Sequence, residues 1–360
     1  MTVGSQDEWI ANRPAGLPTS QRDRTDGLHC VQRLMQRLAH TDGKLGQSAA
    51  YHLNTGGKFL RARLALSACA ALDVDRKNAI CLAAACEFLH NASLVHDDIQ
   101  DRDVRRREQA SVWHRYGLNT AITLGDFFLV LGFLTLARIE CSETSRAALD
   151  RVFSGRVTDV IRGQAKDLEL AGEPRLSIPE YDELARAKTG PLLSLPIEGA
   201  LILSGASVGT RDNARDCLNW FGIAYQLRDD LLDFCAPDGR CAAASDLRNG
   251  RSNAVLLHFL SDSRNGERHA LSEFLSRSAD RASADELDAW AACIRASNAF
   301  ETAIDHFRSY CIQSSQEADK LPHALAEVIK EFIASIKHKI DHLDARDLDG
   351  YRSDTLPLRG

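Results

Sequence analysis

Two short stretches of this 360-residue chain carry the residue types best suited to metal chemistry: Asp97-Asp98-Ile99-Gln100-Asp101 and, about 130 residues further on, Asp229-Asp230-Leu231-Leu232-Asp233. In a helix the first and last aspartates of each stretch stand one turn apart, about 6 Å along the axis, so both carboxylates project from one face. Without a counter-charge they repel. Carboxylates are hard oxygen donors suited to Mg²⁺, which keeps several waters and binds through one or two carboxylates plus substrate phosphates. Two facing clusters of this kind suggest a metal-diphosphate clamp. Either stretch alone could be a solvated helix face; the recurrence of one DDxxD spacing argues for the clamp.

Basic residues accompany both stretches. Glu87-Phe88-Leu89-His90 precedes the first, and Arg105-Arg106-Arg107 follows it. Arginine offers a planar fork suited to phosphate oxygens. Gln226 lies one turn before Asp229 and Asp230, where its amide could meet a ligand or orient a carboxylate. Plainer readings exist for each companion. Asp101 with Arg105 makes an ordinary i,i+4 ion pair. His90 could be a core histidine, Lys58 and Arg61 exposed bases, and Lys188 a helix-end charge before Gly190-Pro191.

The elements that must position these residues read as helices. From Leu28 onward apolar residues recur at helical spacing, as in Leu64, Ala68, Ala71 and Leu72, or Leu82, Ala85, Cys86 and Leu89. Strand-like alternation is nearly absent. Gly56-Gly57, Gly172 to Pro174, Pro179, Gly190-Pro191 and Pro237 to Gly239 fall at plausible helix boundaries. The expected fold is all-α: a single large helical bundle of ten or more helices. Residues 1–27 read as a flexible arm, 28–345 as one domain, and 346–360 as a frayed tail. Asp246 to Asn253 reads as a loop, and 262–284 as a polar linker.

A 44% hydrophobic composition supports a sizeable core, and a net charge of −6 gives no support to nucleic-acid binding. The ten cysteines include no CxxC pair and read as reduced core residues of a cytoplasmic protein. The start of the chain lacks the pattern of a secretion signal, and no uninterrupted apolar run reaches about 18 residues, so no transmembrane helix is expected.

In their order along the chain, these motifs resemble the trans-polyprenyl diphosphate synthase family, over roughly residues 30–340. Gly56-Gly57-Lys58-Phe59-Leu60-Arg61 resembles its glycine-lysine-arginine motif, and Asp97 to Arg107 its first aspartate-rich motif. Lys188-Thr189 resembles its lysine-threonine pair, and Gln226 to Asp233 its second aspartate-rich motif. The resemblance implies that Asp97, Asp101 and Asp229 ligate Mg²⁺, three ions with substrate bound, with Asp98, Asp230 and Asp233 in support. It implies that Arg106, Lys188 and Arg251 hold an allylic diphosphate, and that Lys58, Arg61, His90 and Arg107 bind isopentenyl diphosphate. Thr189 and Gln226 would line the reacting centre. The implied reaction adds five carbons to the allylic chain, and the implied assembly is a homodimer.

Product length should depend on the wall below the first motif. Ala92 and Ser93 are small where bulky aromatics in the family tend to stop elongation at fifteen carbons. A twenty-carbon geranylgeranyl product is therefore expected, with farnesyl or longer products as alternatives. Phe127, Phe128 and Phe133 could form a deeper floor or simply pack the core.

Several positions depart from the family pattern. Phe59 stands where a basic residue is common, and Ala62 where proline usually follows the arginine. Glu108 and Ala110 replace glycine and proline, and Arg251 and Asn253 replace lysine and threonine. Three rival readings are a class I terpene cyclase, a non-catalytic synthase subunit and a di-iron bundle. The first lacks its asparagine-serine-glutamate triad here. The second commonly loses one aspartate motif, and the third needs a second Glu-x-x-His.

Overall fold

The computed structural model describes residues 21–170, 176–234, 245–262, 265–276 and 283–341. Fifteen helices and one two-stranded ladder lie among the described residues, so the fold is all-α. The expected boundaries at Gly172 to Pro174 and Pro237 to Gly239, Cys235 and Cys241, and the expected tail 346–360 lie outside them. The chain forms two compact units: residues up to Val157 with Leu192–Ala214 and Pro322–Val328, and Thr158–Pro191 with Arg215–Leu321 and the chain from Ile329.

In the first unit, α1 (Gln21–Leu38), α2 (Gly43–Asn54) and α3 (Leu60–Ala71) precede α4 (Arg76–Gln100). Helix α1 begins at Gln21, so it takes in the last residues of the expected 1–27 arm. Helix α4 starts at Asp75, whose carboxylate accepts from the amides of Lys77 and Asn78 at 2.9 and 3.1 Å. It is buried along most of its length, from Ala79 to Asp98. A ladder, β1 (Arg105–Arg106) with β2 (Gln109–Ala110), and α5 (Val112–Tyr116) lead to α6 (Leu118–Leu136). Helix α6 lies against α4 through glycines. A Cβ at Gly132 would stand 2.8 Å from the Leu89 side chain, and one at Gly125 2.1 Å from the His96 ring.

By length and composition α4 and α6 could each cross a membrane. An unbroken-run criterion misses them because single polar residues such as Asp126 interrupt the run. Helix α4 is mostly buried within its unit, whereas α6 exposes Leu118, Ile122, Val130 and Leu134.

Helices α7 (Glu143–Leu170), α8 (Ile178–Leu203) and α9 (Val208–Asp233) contribute residues to both units. The second unit adds α10 (Ser245–Asn249), α11 (Ala254–Asp262), α12 (Asn265–Ser276), α13 (Ala284–Arg295), α14 (Asn298–Ala318) and most of α15 (His323–Asp341). Three expectations need correction. Helix α12 occupies the expected polar linker, because Leu271 and Phe274 bury one turn apart among polar neighbours. The expected loop 246–253 begins with α10. Gly190-Pro191 is no boundary: α8 runs through it. Pro191 cannot bond the Ala187 carbonyl, and that carbonyl lies so near Gly163 of α7 that a Cβ there would stand 2.9 Å from its oxygen.

Candidate active site

The last turn of α4 carries the first motif. The Asp101 amide donates to the Asp97 carbonyl at 2.8 Å, so these two half-buried aspartates stand one turn apart as expected. Asp98 is buried. Arg106 Nε donates to its Oδ1 at 2.6 Å, while Oδ2 is buried with no hydrogen-bond partner. Burial pushes the Asp98 carboxyl up to about 6 against the opposing pull of Arg106. The ladder aims the arginines. Arg107 and Glu108, at φ 50° and 65°, form its two-residue turn.

Beside this end of the unit stands a basic cluster. Arg61 is buried at the start of α3, with Nε unpartnered. The Arg107 guanidinium lies over Gly57, where a Cβ would stand 2.8 Å from Nη2, and its Nη1 donates to Thr55 Oγ1 at 3.3 Å. His90 Nδ1 is buried without a partner. Burial first, then Arg61, Arg107 and Arg106, hold the His90 proton affinity well below the ordinary value, so the ring is neutral. The structure thus gathers Arg61, His90, Arg106 and Arg107, and leaves Lys58 exposed on the loop before α3.

Two further buried polar groups stand here. Glu87 Oε1 accepts from the Ala62 amide at 3.0 Å, and His52 Nε2 lies 3.0 Å from Asn91 Oδ1. Glu87 had a sequence signal in its position three residues before His90; His52 had none. Ala92 is buried, and the Ser93 hydroxyl donates to the His90 carbonyl of its own helix at 2.9 Å. Phe128 is committed to the core, its ring 5.9 Å from Phe88 and 5.6 Å from His52, while Phe127 and Phe133 are half-buried.

In the second unit, a second network joins α7, α8 and α9. Lys188 Nζ donates to Asp167 Oδ2 at 2.7 Å. Thr189 Oγ1 donates to Gln226 Oε1 at 3.0 Å, and Gln226 Nε2 donates to Asp230 Oδ1 at 2.9 Å. Asp230 Oδ2 accepts from the Tyr181 hydroxyl at 2.6 Å and the Ala254 amide at 2.8 Å. Every oxygen of this buried carboxylate is therefore engaged. Burial and then Asp246 raise its proton affinity well above the ordinary value. Asp229 is the exposed member of the motif and pairs with the neighbouring Arg228 guanidinium, which lies over the Tyr225 ring.

Asp233 accepts from the Asp246 amide at 3.0 Å, and Asn253 Nδ2 donates to Asp246 Oδ2 at 2.9 Å. Burial and then Asp233 push the Asp246 carboxyl up to about 7. Arg251 Nη1 lies 4.0 Å from Asp246 Oδ1. Asp167, Tyr181 and Asp246 carry no sequence signal of their own; only the fold brings them to Lys188 and Asp230.

Among the described residues no three His, Cys, Asp or Glu side chains enclose a cation by themselves. The oxygen donors nevertheless fit Mg²⁺, which needs only one or two carboxylates when phosphates and water complete its shell. The unpartnered Asp98 Oδ2, held near the half-buried Asp97 and Asp101, suits a metal-bound water.

An all-α fold that carries carboxylates and phosphate-fitting bases on its helices suits the binding of an anionic substrate. The chain belongs to the Polyprenyl synthetase family, whose profile matches residues 42–292. It is a trans-prenyltransferase. It is similar to a short chain isoprenyl diphosphate synthase of Methanothermobacter thermautotrophicus, 30% identical over 81% of this chain and 90% of that one. It is also similar to an octaprenyl diphosphate synthase of Haemophilus influenzae, 27% identical over 71% and 77% of the two chains. Among solved structures, a polyprenyl synthase of Caulobacter crescentus complexed with calcium and isoprenyl diphosphate shares the fold. The TM-score is 0.79 at 24% identity, over 91% of this chain and 99% of that one.

Proposed function

We propose that this prenyltransferase condenses isopentenyl diphosphate with an allylic diphosphate in a Mg²⁺-dependent reaction, and that its product is geranylgeranyl diphosphate. The observation that carries the reading is a coincidence of unpartnered buried atoms: Arg61 Nε and His90 Nδ1 in the basic cluster, and Asp98 Oδ2 in the acidic one. Polar atoms left so are costly unless a ligand meets them. The structure bound to isoprenyl diphosphate supports the same substrate class.

Residues 28–345 act as one catalytic domain in this reading. Asp97, Asp101 and Asp229 hold Mg²⁺, which neutralises the departing diphosphate when bound. Arg106, Lys188 and Arg251 hold the allylic diphosphate. The exposed Asp229 must exchange the Arg228 guanidinium for the ion. Lys58, Arg61, His90 and Arg107 receive the diphosphate of the attacking substrate, with neutral His90 as a hydrogen-bonding group. Thr189 and Gln226, bonded to each other, line the reacting carbon, and Gln226 is fixed by Asp230. Apolar helix walls exclude water, which would otherwise trap the allylic cation. Small side chains at Ala92 and Ser93, where a bulky aromatic would stop elongation at fifteen carbons, support the twenty-carbon product.

The test is purified protein with Mg²⁺, isopentenyl diphosphate and, separately, dimethylallyl, geranyl and farnesyl diphosphate. Chromatography should show a twenty-carbon product, lost on chelation and in Asp97→Ala. Unreacted starter in all three reactions would remove the synthase reading. A fifteen-carbon or longer product would correct only the chain length, and a cyclised hydrocarbon from geranylgeranyl diphosphate alone would favour the cyclase.

A further inference from the structure

Helix α3 begins without a cap of its own. Its N-cap residue, Phe59, sits at φ 47°, ψ 43° and makes no side-chain bond to the first turn. The first amides of a helix have no partner within it, and they are usually met by a Ser, Thr, Asp or Asn side chain at the cap. Here α4 supplies the acceptor. Glu87 Oε1 takes the Ala62 amide at 3.0 Å. A buried carboxylate at a helix N-terminus is favoured by the helix dipole as well. Glu87 is itself fixed: Asn91 Nδ2 donates to its carbonyl at 2.7 Å, and its side chain is inaccessible in a residue only 3% exposed. Burial raises the proton affinity of Glu87 above the ordinary value, against the smaller opposing effects of the Ala62 amide and the Arg61 and Arg107 charges, and His90 lies one turn further along α4.

We propose that Glu87 is a positioning residue of the isopentenyl diphosphate site. By capping α3 from α4 it fixes Arg61 and, through Phe59 and Leu60, the Gly56–Lys58 loop. The proposal rests on the reading above that Lys58, Arg61, His90 and Arg107 receive that substrate. Ala62 completes the device, because a proline there would have no amide hydrogen to give. Without the cap the first turn of α3 frays, and isopentenyl diphosphate must reorder it on binding. Arg61 and the Gly56–Lys58 loop are not among the groups that hold the allylic substrate in that reading, so the cost falls on one KM.

The test uses the full chain with Glu87→Ala and Glu87→Gln. In Glu87→Ala the KM for isopentenyl diphosphate should rise about tenfold, the size of a lost helix cap. The KM for the allylic substrate and kcat should stay within about threefold. Glu87→Gln keeps an oxygen for the Ala62 amide and should restore the first KM to within about threefold of the parent. Hydrogen exchange at the Arg61 and Ala62 amides should quicken in Glu87→Ala and recover in Glu87→Gln, with the amides of α6 unchanged. An unchanged exchange rate in Glu87→Ala, or an equal rise in both KM values, would overturn the proposal. Were the parent protein to elongate no starter, the functional reading would fail while exchange still decided the cap. Should Glu87→Ala not fold, Glu87→Asp, which withdraws the acceptor by one methylene, carries the same comparison.

Discussion

His52 is a buried imidazole between Asn91 and the Phe128 ring. Burial depresses its proton affinity from 6.5 to about 3 against the opposing Asn91 bond, with Arg107 and Arg106 adding smaller depressions. The folded protein therefore favours neutral His52. Its contribution to stability is complete above pH 6.5 and is lost as pH falls toward 3. Between pH 6.5 and 4 one such group accounts for about 3 kcal/mol. We expect His52→Gln, which can still meet Asn91, to shrink the fall in unfolding free energy between pH 7 and pH 4 by roughly that amount. Denaturant titrations at the two pH values measure it; parallel losses in parent and variant would show that the ring is not held neutral. Other residues account for departures from the family pattern. Asn253 donates to Asp246 and to the Asp230 carbonyl, and its Oδ1 accepts from the Val255 amide, so it caps α11 while bridging two aspartates. Glu108 takes a φ of 65°, which glycine adopts without strain. Nothing in the structure explains Phe59 in place of a basic residue.

At the scale of elements, glycines decide how closely the site helices approach. A Cβ at Gly222 of α9 would stand 2.7 Å from the Gly190 Cα of α8, one residue from Thr189. This Cα and the Gly190 nitrogen, 2.9 Å from the same Cβ, are backbone atoms, so the helices must part. Gly222→Ala should destabilise the fold by about 1–3 kcal/mol. It should also lower turnover by about ten- to a hundredfold, as the Thr189–Gln226 bond loses its geometry. Gly155→Ala, with nothing within 4 Å of the new Cβ, is the matched control and should leave both nearly unchanged. A Gly222→Ala protein with the parent's melting temperature and turnover would contradict this packing. These contacts also mark what the sequence could reveal. The run from Leu82 to Asp98 announces α4, because a helix buried nearly all round is apolar nearly all round. Gly190 and Pro191 look like a helix end because local preference is all a sequence displays, and only packing on Gly163 and Gly222 shows why α8 continues. Helix α12 hid because two apolar residues, Leu271 and Phe274, are enough to seat it. The aspartates, lysines and arginines of the site were legible in type and spacing. Their holders, Tyr181, Asp167 and Asp246, were not, since those contacts join residues tens of positions apart.

For the whole molecule, the open question is what covers α6. Leu118, Ile122, Val130 and Leu134 recur at multiples of four along this helix and are between 43% and 55% exposed. At 3.6 residues per turn Ile122, Val130 and Leu134 fall within about 120° of one another, and with Leu118 and half-buried Phe127 and Phe133 they form an apolar band of the kind that marks an interface. We propose that a second copy of the chain covers it, as the family resemblance implies. A two-fold contact would lay one α6 stripe against its own copy, which asks nothing of the surface beyond self-complementarity. Charge does not oppose this, because the stripe carries only Asp126, which lies 3.6 Å from His96. Leu134→Glu places a carboxylate on an exposed position, so it should leave the melting of the isolated chain close to the parent's while adding a like-charge pair to any two-fold contact. Light scattering after gel filtration should give the parent twice the 39.7 kDa chain mass and the variant the single mass. A parent protein that elutes at the single mass at micromolar concentration, or a variant that stays paired, would remove α6 as the dimer face.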